Sequence, residues 1–112
     1  MIIPKTIKIG STKYKVSLVK VVDYMEMIKM RFRKEKGIIF GRIDGQEIRI
    51  KKDLNNKHQK ETFFHEMAHG IMWEMERSHP KVWAWRKDEA FICKLGSVLS
   101  RTFSNLMKSQ VP

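Results

Sequence analysis

The chain has one cysteine, Cys93, among its 112 residues. An internal disulfide is therefore excluded, and the expected surroundings are a reducing cytoplasm. A free cysteine in an apolar helix is read as a small core residue rather than as a nucleophile. Long hydrophobic runs are also missing: no window approaches the ~20 apolar residues of a membrane span, so no membrane partner is expected. The opening "MIIPKTIKIG" has no charged n-region followed by an apolar h-region, and no secretory leader is expected from it. Internal repeats, low-complexity tracts and linker-like stretches are absent as well. One domain over residues 1–112 with a single modest core is what remains. Nothing in this pattern specifies an oligomeric state.

Negative charge is scarce. Twelve Asp and Glu stand against 23 Lys and Arg, for a net charge of +11. Such a balance favours nucleic acid, acidic proteins or anionic surfaces through long-range attraction. It equally suits a solubilising surface. The cations cluster in "KMRFRKEK" (Lys29 to Lys36) and "IRIKKDLNNKHQK" (Ile48 to Lys60). Neither run contains a nucleic-acid motif, so nucleic acid is a partner the basic surface permits and no motif specifies.

The hydrophobic pattern changes period along the chain. Ile7 and Ile9, then Tyr14, Val16 and Leu18, alternate with polar residues on either side of a Gly-Ser-Thr break, which predicts a β-hairpin. In residues 21–36, Met25, Ile28 and Phe32 fall at helical spacing and predict a short helix or helical turn. A second hairpin is expected, Ile38–Ile43 with Gln46–Ile50, because Asp44-Gly45 between β-branched runs tolerates the positive φ of a tight turn. From about Lys57 to Arg77, Phe64, Met67, Ala68, Ile71, Met72 and Met75 form an apolar stripe at 3- and 4-residue spacing. Pro80 ends that helix, since the residue before a proline avoids helical geometry. A second helix is expected from Trp85 to Met107, with Ile92, Leu95, Leu99, Phe103 and Leu106 on one face. Together these predict an α+β fold, a small antiparallel sheet packed against two helices. Trp73, Trp83 and Trp85 are read as buried aromatics; exposure of Trp83 or Trp85 would instead mark a binding surface.

The first helix carries His-Glu-x-x-His at His65, Glu66 and His69. With four histidines in the chain, chance supplies this pattern on the order of one per cent of the time. Residues four apart lie one turn above each other, so two imidazoles reach one ion at the ~2.0–2.1 Å of zinc–nitrogen bonds. Glu66, rotated by ~100° from His65, falls beside that pair rather than within it. It is placed to act on a water as general base while zinc lowers the water's pKa towards ~7. A catalytic zinc takes three protein ligands, so a third is required. The candidates are His79, Asp88 and Glu89. Glu89 is favoured for its place at the start of a helix that can pack across the first. Asp88 and Glu89 also suit a helix N-terminus electrostatically. His79 does not match the short His-x-x-Gly-x-x-His arrangement, and His58 precedes the helix and is expected in solvent. Tyr14, Tyr24 and His79 are all available to stabilise an oxyanion, and the sequence selects none.

The segments "IKIGSTKYKV", "FGRIDGQEIRI", "KETFFHEMAHGI" and "DEAFICKLGSVLSRTF" resemble, in order and spacing, those of small phage and prophage zinc metallopeptidases related to the ImmA/IrrE and SprT-like groups. The likeness covers roughly residues 5–20 and 38–107. It departs in residues 21–37, which are longer and more basic than the family's connection, and in the tryptophan-bearing loop. The resemblance implies a Zn2+-dependent enzyme acting on a peptide or protein substrate. It implies His65, His69 and Glu89 as metal ligands and Glu66 as catalytic base. The alternative is a basic zinc-containing protein that binds nucleic acid or another partner without hydrolysing peptides.

Overall fold

Two β-hairpins lie side by side and are joined by a parallel seam. The computed structural model describes residues 2–20, 41–44, 46–86 and 88–109. The first hairpin is β1 (Thr6–Ile9) with β2 (Thr12–Val19), and the second is β3 (Gly41–Asp44) with β4 (Glu47–Lys51). Ile7 pairs with Tyr14 in the first and Ile43 with Ile48 in the second, both antiparallel as the alternating pattern predicts. Gly10 turns the first hairpin at φ 59°, a conformation that side chains with a Cβ enter at a cost.

The strand order is β1-β2-β4-β3, and β2 runs parallel to β4 with Val16 opposite Ile48 and Leu18 opposite Ile50. The wholly antiparallel sheet expected from sequence is thus corrected to a mixed one. Alternation marks the two faces of a strand but carries no direction. Direction at the seam depends on the connection from Val19 to Gly41, which exceeds the dozen or so residues a parallel crossover needs. The helix expected over residues 21–36, the basic run Lys29 to Lys36, and positions 38–40 of the second hairpin lie outside the described residues.

One face of the sheet is apolar. Ile9, Tyr14, Val16, Ile43, Ile48 and Ile50 are buried there beneath α1 (Asn56–Ser78). Leu18 continues the alternation but is 46% exposed, at the end of β2. Helix α1 begins where the Asn55 carboxamide oxygen accepts the His58 backbone N–H at 2.9 Å, an N-cap bond. It stops at His79, whose N–H bonds the Met75 carbonyl and whose backbone turns away ahead of Pro80. Of the expected stripe, Phe64, Ala68 and Met72 are buried, Met67 and Ile71 partly so, and Met75 is exposed. Phe63, absent from that stripe, is one of the most buried side chains. A single stripe describes a helix covered on one side, whereas α1 is covered on two.

The second cover is α3 (Glu89–Ser109), reached through a 3-10 turn at Pro80–Val82 and the short α2 (Trp83–Arg86). The continuous helix expected from Trp85 is therefore broken before Glu89. An ion pair of 2.6 Å between the Arg86 Nε and Glu76 Oε2 ties this connection back to α1. Helix α3 lies across α1 and not on the sheet. Its Ile92 is fully buried with Ala68, Met72 and Val82, while Leu99 and Phe103 reach the main core, Phe103 against the Phe64 ring at 5.5 Å. Leu106, expected on the same face, is 57% exposed. The Lys60 ammonium and the Ser104 hydroxyl hold the far ends of the two helices together. The architecture is α+β, in three tiers: sheet, α1, α3.

Candidate metal centre

His65 and His69 stand one turn apart on α1, with ring centroids 5.0 Å apart. Glu89, the first residue of α3, spans both rings. Its Oε1 lies 2.7 Å from His65 Nε2 and its Oε2 lies 3.5 Å from His69 Nε2. One donor atom from each of the three residues falls within 4.8 Å of the others. The imidazoles are half-buried, while the Glu89 side chain is 63% exposed. The arrangement is thus a corner between two helices that opens to solvent on the carboxylate side.

Two contacts bring Glu89 there. Ile92, one turn on, is locked in the cluster with Ala68 and Met72. Gly96, two turns on and on the same side of α3, lies against the α1 backbone at the first histidine. A Cβ at this position would come within 2.9 Å of His65 Cα and 3.2 Å of the Phe64 carbonyl oxygen. Only a residue without a side chain permits that approach. Gly70 does the same service on the other side of α1, where an added Cβ would meet Ile9 Cδ1 at 2.8 Å and Ile43 Cδ1 at 3.1 Å.

The remaining candidates separate cleanly. Asp88 is the N-cap of α3: its Oδ1 accepts the Phe91 N–H at 3.1 Å, and this occupies the carboxylate at the helix end. Glu89, one position inside the helix, faces the histidines instead. His79 caps the C-terminus of α1, ten residues beyond His69 and so about 15 Å along the helix axis. His58 is exposed in the first turn. Tyr14 is buried beneath α1, and burial, with Glu74 adding and Arg77 opposing, holds its hydroxyl above the ordinary pKa. Tyr24 lies outside the described residues.

Glu66 is only 6% exposed. It sits one turn before Gly70 on the flank of α1 that faces the sheet at Ile9 and Ile43. Within the His-Glu-x-x-His segment the histidines thus lie towards α3, and Glu66 is turned by ~100° from His65 on the flank nearer the sheet. Burial lowers the pKa of His69; the Glu89 carboxylate works against this and His65 reinforces it, with the net direction downward. A neutral imidazole is the form that donates a lone pair to a metal.

A groove of about 450 Å³ begins at His65 and runs between the helices, with Glu61 on α1 and Cys93, Gly96, Ser97 and Arg101 on α3. Cys93, expected in the core, is exposed. It follows Ile92, and α3 buries little beyond the side that touches α1. Trp85 also departs from the buried-aromatic reading: it is 58% exposed, with its ring 6.0 Å from that of Phe91. The Trp83 side chain lies outside the described residues. Trp73 is partly buried against the main core, as expected.

Sequence reasoning missed Gly96 and the capping role of Asp88. The second was legible, because an Asp three residues before a helical N–H is the usual N-cap signal. The first was not, since a glycine inside a helix pattern reads as a weakness until the partner helix is known. Two imidazole nitrogens and one carboxylate oxygen, with a side left open, lie close enough together to hold a metal ion. No helix among the described residues is long and apolar enough to cross a membrane. No family model, curated protein or solved structure matches the chain.

Proposed function

We propose that the chain is a zinc-dependent metallopeptidase of the bacterial cytosol, related to the small phage metallopeptidases it resembles in sequence. The observation that carries this reading is the convergence of Glu89 on both histidines of a His-Glu-x-x-His helix, with Glu66 buried alongside. His65, His69 and Glu89 would hold the ion, which supplies electrophilic activation of water and of a substrate carbonyl. Glu66 takes the proton from the attacking water and returns it to the departing amine. Its burial on the sheet side keeps it from competing with Glu89 as a ligand.

The substrate binds along β3. This strand ends the order β1-β2-β4-β3, packs beside α1 and, among the described residues, has a neighbour on one side only. An extended peptide adds to such an edge through backbone hydrogen bonds. Side chains on one side of the scissile bond then enter the groove between Glu61 and Arg101.

The test compares wild type with Glu66→Gln on unfolded casein and a mixed peptide library, read by mass spectrometry. Wild type loses hydrolysis on chelation and regains it with zinc. Glu66→Gln retains zinc and loses hydrolysis. Cleavage that survives both chelation and Glu66→Gln would refute the assignment.

A further inference from the structure

The sheet face turned away from α1 has a different chemistry from everything above it. By register, Lys8, Lys13, Lys15, Arg42, Arg49 and Lys51 share this face with two acidic positions, Asp44 and Glu47. Lys8, Lys13 and Lys15 are exposed, and Glu47 is engaged by Lys15 at 4.0 Å and by Arg49 at 3.4 Å. Residues two apart on a strand are separated by ~6.6 Å and neighbouring strands by ~4.8 Å, so these cations cover a continuous patch roughly 10 Å across. The helical tiers hold the acids instead: Glu61, Glu66, Glu74, Glu76, Asp88 and Glu89. Among the described residues, both long helices lie on the opposite side of the sheet.

We propose that this sheet face binds the phosphate backbone of a nucleic-acid duplex without reading its bases. Charge complementarity selects a polyanion. A protein partner would require an apolar centre in the contact, where lysine is depleted, and this face carries no aromatic residue and only Val19 as an apolar one among those described. A membrane surface calls for inserted apolar side chains, which are equally missing. The lack of aromatics also removes the stacking platform of single-strand binders. Backbone contacts to a duplex remain. The inference is independent of the peptidase reading, because this face of the sheet is turned away from α1 and its histidines.

Fluorescence anisotropy with a labelled DNA duplex of ~20 base pairs tests it. Wild type binds at about 50 mM salt and weakens steeply by about 200 mM. Combining Lys8→Gln, Lys13→Gln and Lys15→Gln lowers affinity at least tenfold and flattens the salt dependence by about 0.9 for each phosphate no longer neutralised. Arginine at the same three positions keeps the affinity. A charge-matched control on the helical tiers, Lys57→Gln, Lys81→Gln and Lys94→Gln, changes affinity less than threefold. No duplex binding at low salt, or equal losses in the two glutamine sets, would overturn the proposal. So would tighter binding to polyglutamate or to phosphatidylserine vesicles than to the duplex.

Discussion

The two long helices meet at the histidines but are held very differently. Helix α1 is covered by the sheet on one side and by α3 on another, and it buries Phe63, Phe64, Ala68 and Met72 between them. Among its described residues, helix α3 buries Ile92 and Gly96 and leaves Phe91, Val98, Leu106 and Met107 at least 40% exposed. The candidate metal centre would draw two donors from the clamped helix and one from the loosely covered helix. His65 and His69 are therefore fixed by the core itself, whereas Glu89 is fixed by a short run of contacts, Ile92 and Gly96 above all. The centre's geometry is only as firm as that run.

Core truncation should expose the contrast most strongly. Phe63→Ala, beneath α1, is expected to destabilise the fold by about 3–5 kcal/mol, as deletion of a buried aromatic does. Leu106→Ala, on the exposed end of α3, should change stability by no more than about 0.5 kcal/mol. Urea denaturation followed by circular dichroism measures both. Equal costs would mean that α3 is as deeply embedded as α1.

Gly96→Ala sharpens the same point without emptying the core. The added Cβ meets backbone atoms of α1, which cannot swing aside as a side chain would. Overpacking costs about 1–3 kcal/mol, partly offset by about 1 kcal/mol of better helix propensity. A net loss near 1 kcal/mol is expected, with a larger proportional loss in zinc affinity, because the displaced segment carries Glu89. A change in stability with unaltered zinc affinity would break the link between this contact and the centre.

A smaller effect follows from His69. Its pKa is lowered, chiefly by burial, so at intermediate pH the unfolded chain takes up a proton that the folded chain does not. The stability this group contributes is complete above the ordinary value of 6.5 and is lost as pH falls through the lower folded value. In chelator-treated protein, wild type should lose more stability between neutral and mildly acidic pH than His69→Gln does. The opposite ordering would mean that Glu89 holds the imidazole charged and outweighs burial.

The parts of this arrangement that are legible in sequence are those set by local rules. Alternation locates both hairpins, Pro80 ends α1, and the four-residue spacing of His65 and His69 puts them on one face. The parts that are not legible depend on partners distant in the chain. The parallel pairing of Val16 with Ile48 is invisible to a period-2 pattern. Phe63 falls outside the stripe because a single stripe describes one covered side, whereas α1 is covered on two: the sheet buries Phe63 and Phe64, and α3 covers Ala68 and Met72. Leu106 and Cys93 read as internal because an apolar periodicity says which residues could be covered, not whether anything covers them. Position in the chain favours Glu89, but the physical reason, Asp88 spent on the helix cap, emerges only with the hydrogen bond to Phe91.

Zinc affinity, measured by competition with a chromophoric chelator for wild type, Glu89→Gln and Asp88→Asn, probes the centre most directly. Wild type should take up one zinc per chain, Glu89→Gln should bind it much more weakly because a neutral amide is a poorer ligand for a dication, and Asp88→Asn should bind as wild type does, since asparagine caps a helix as well as aspartate. Loss of the metal in Asp88→Asn with retention in Glu89→Gln, or no zinc uptake by wild type, would contradict a centre built from His65, His69 and Glu89.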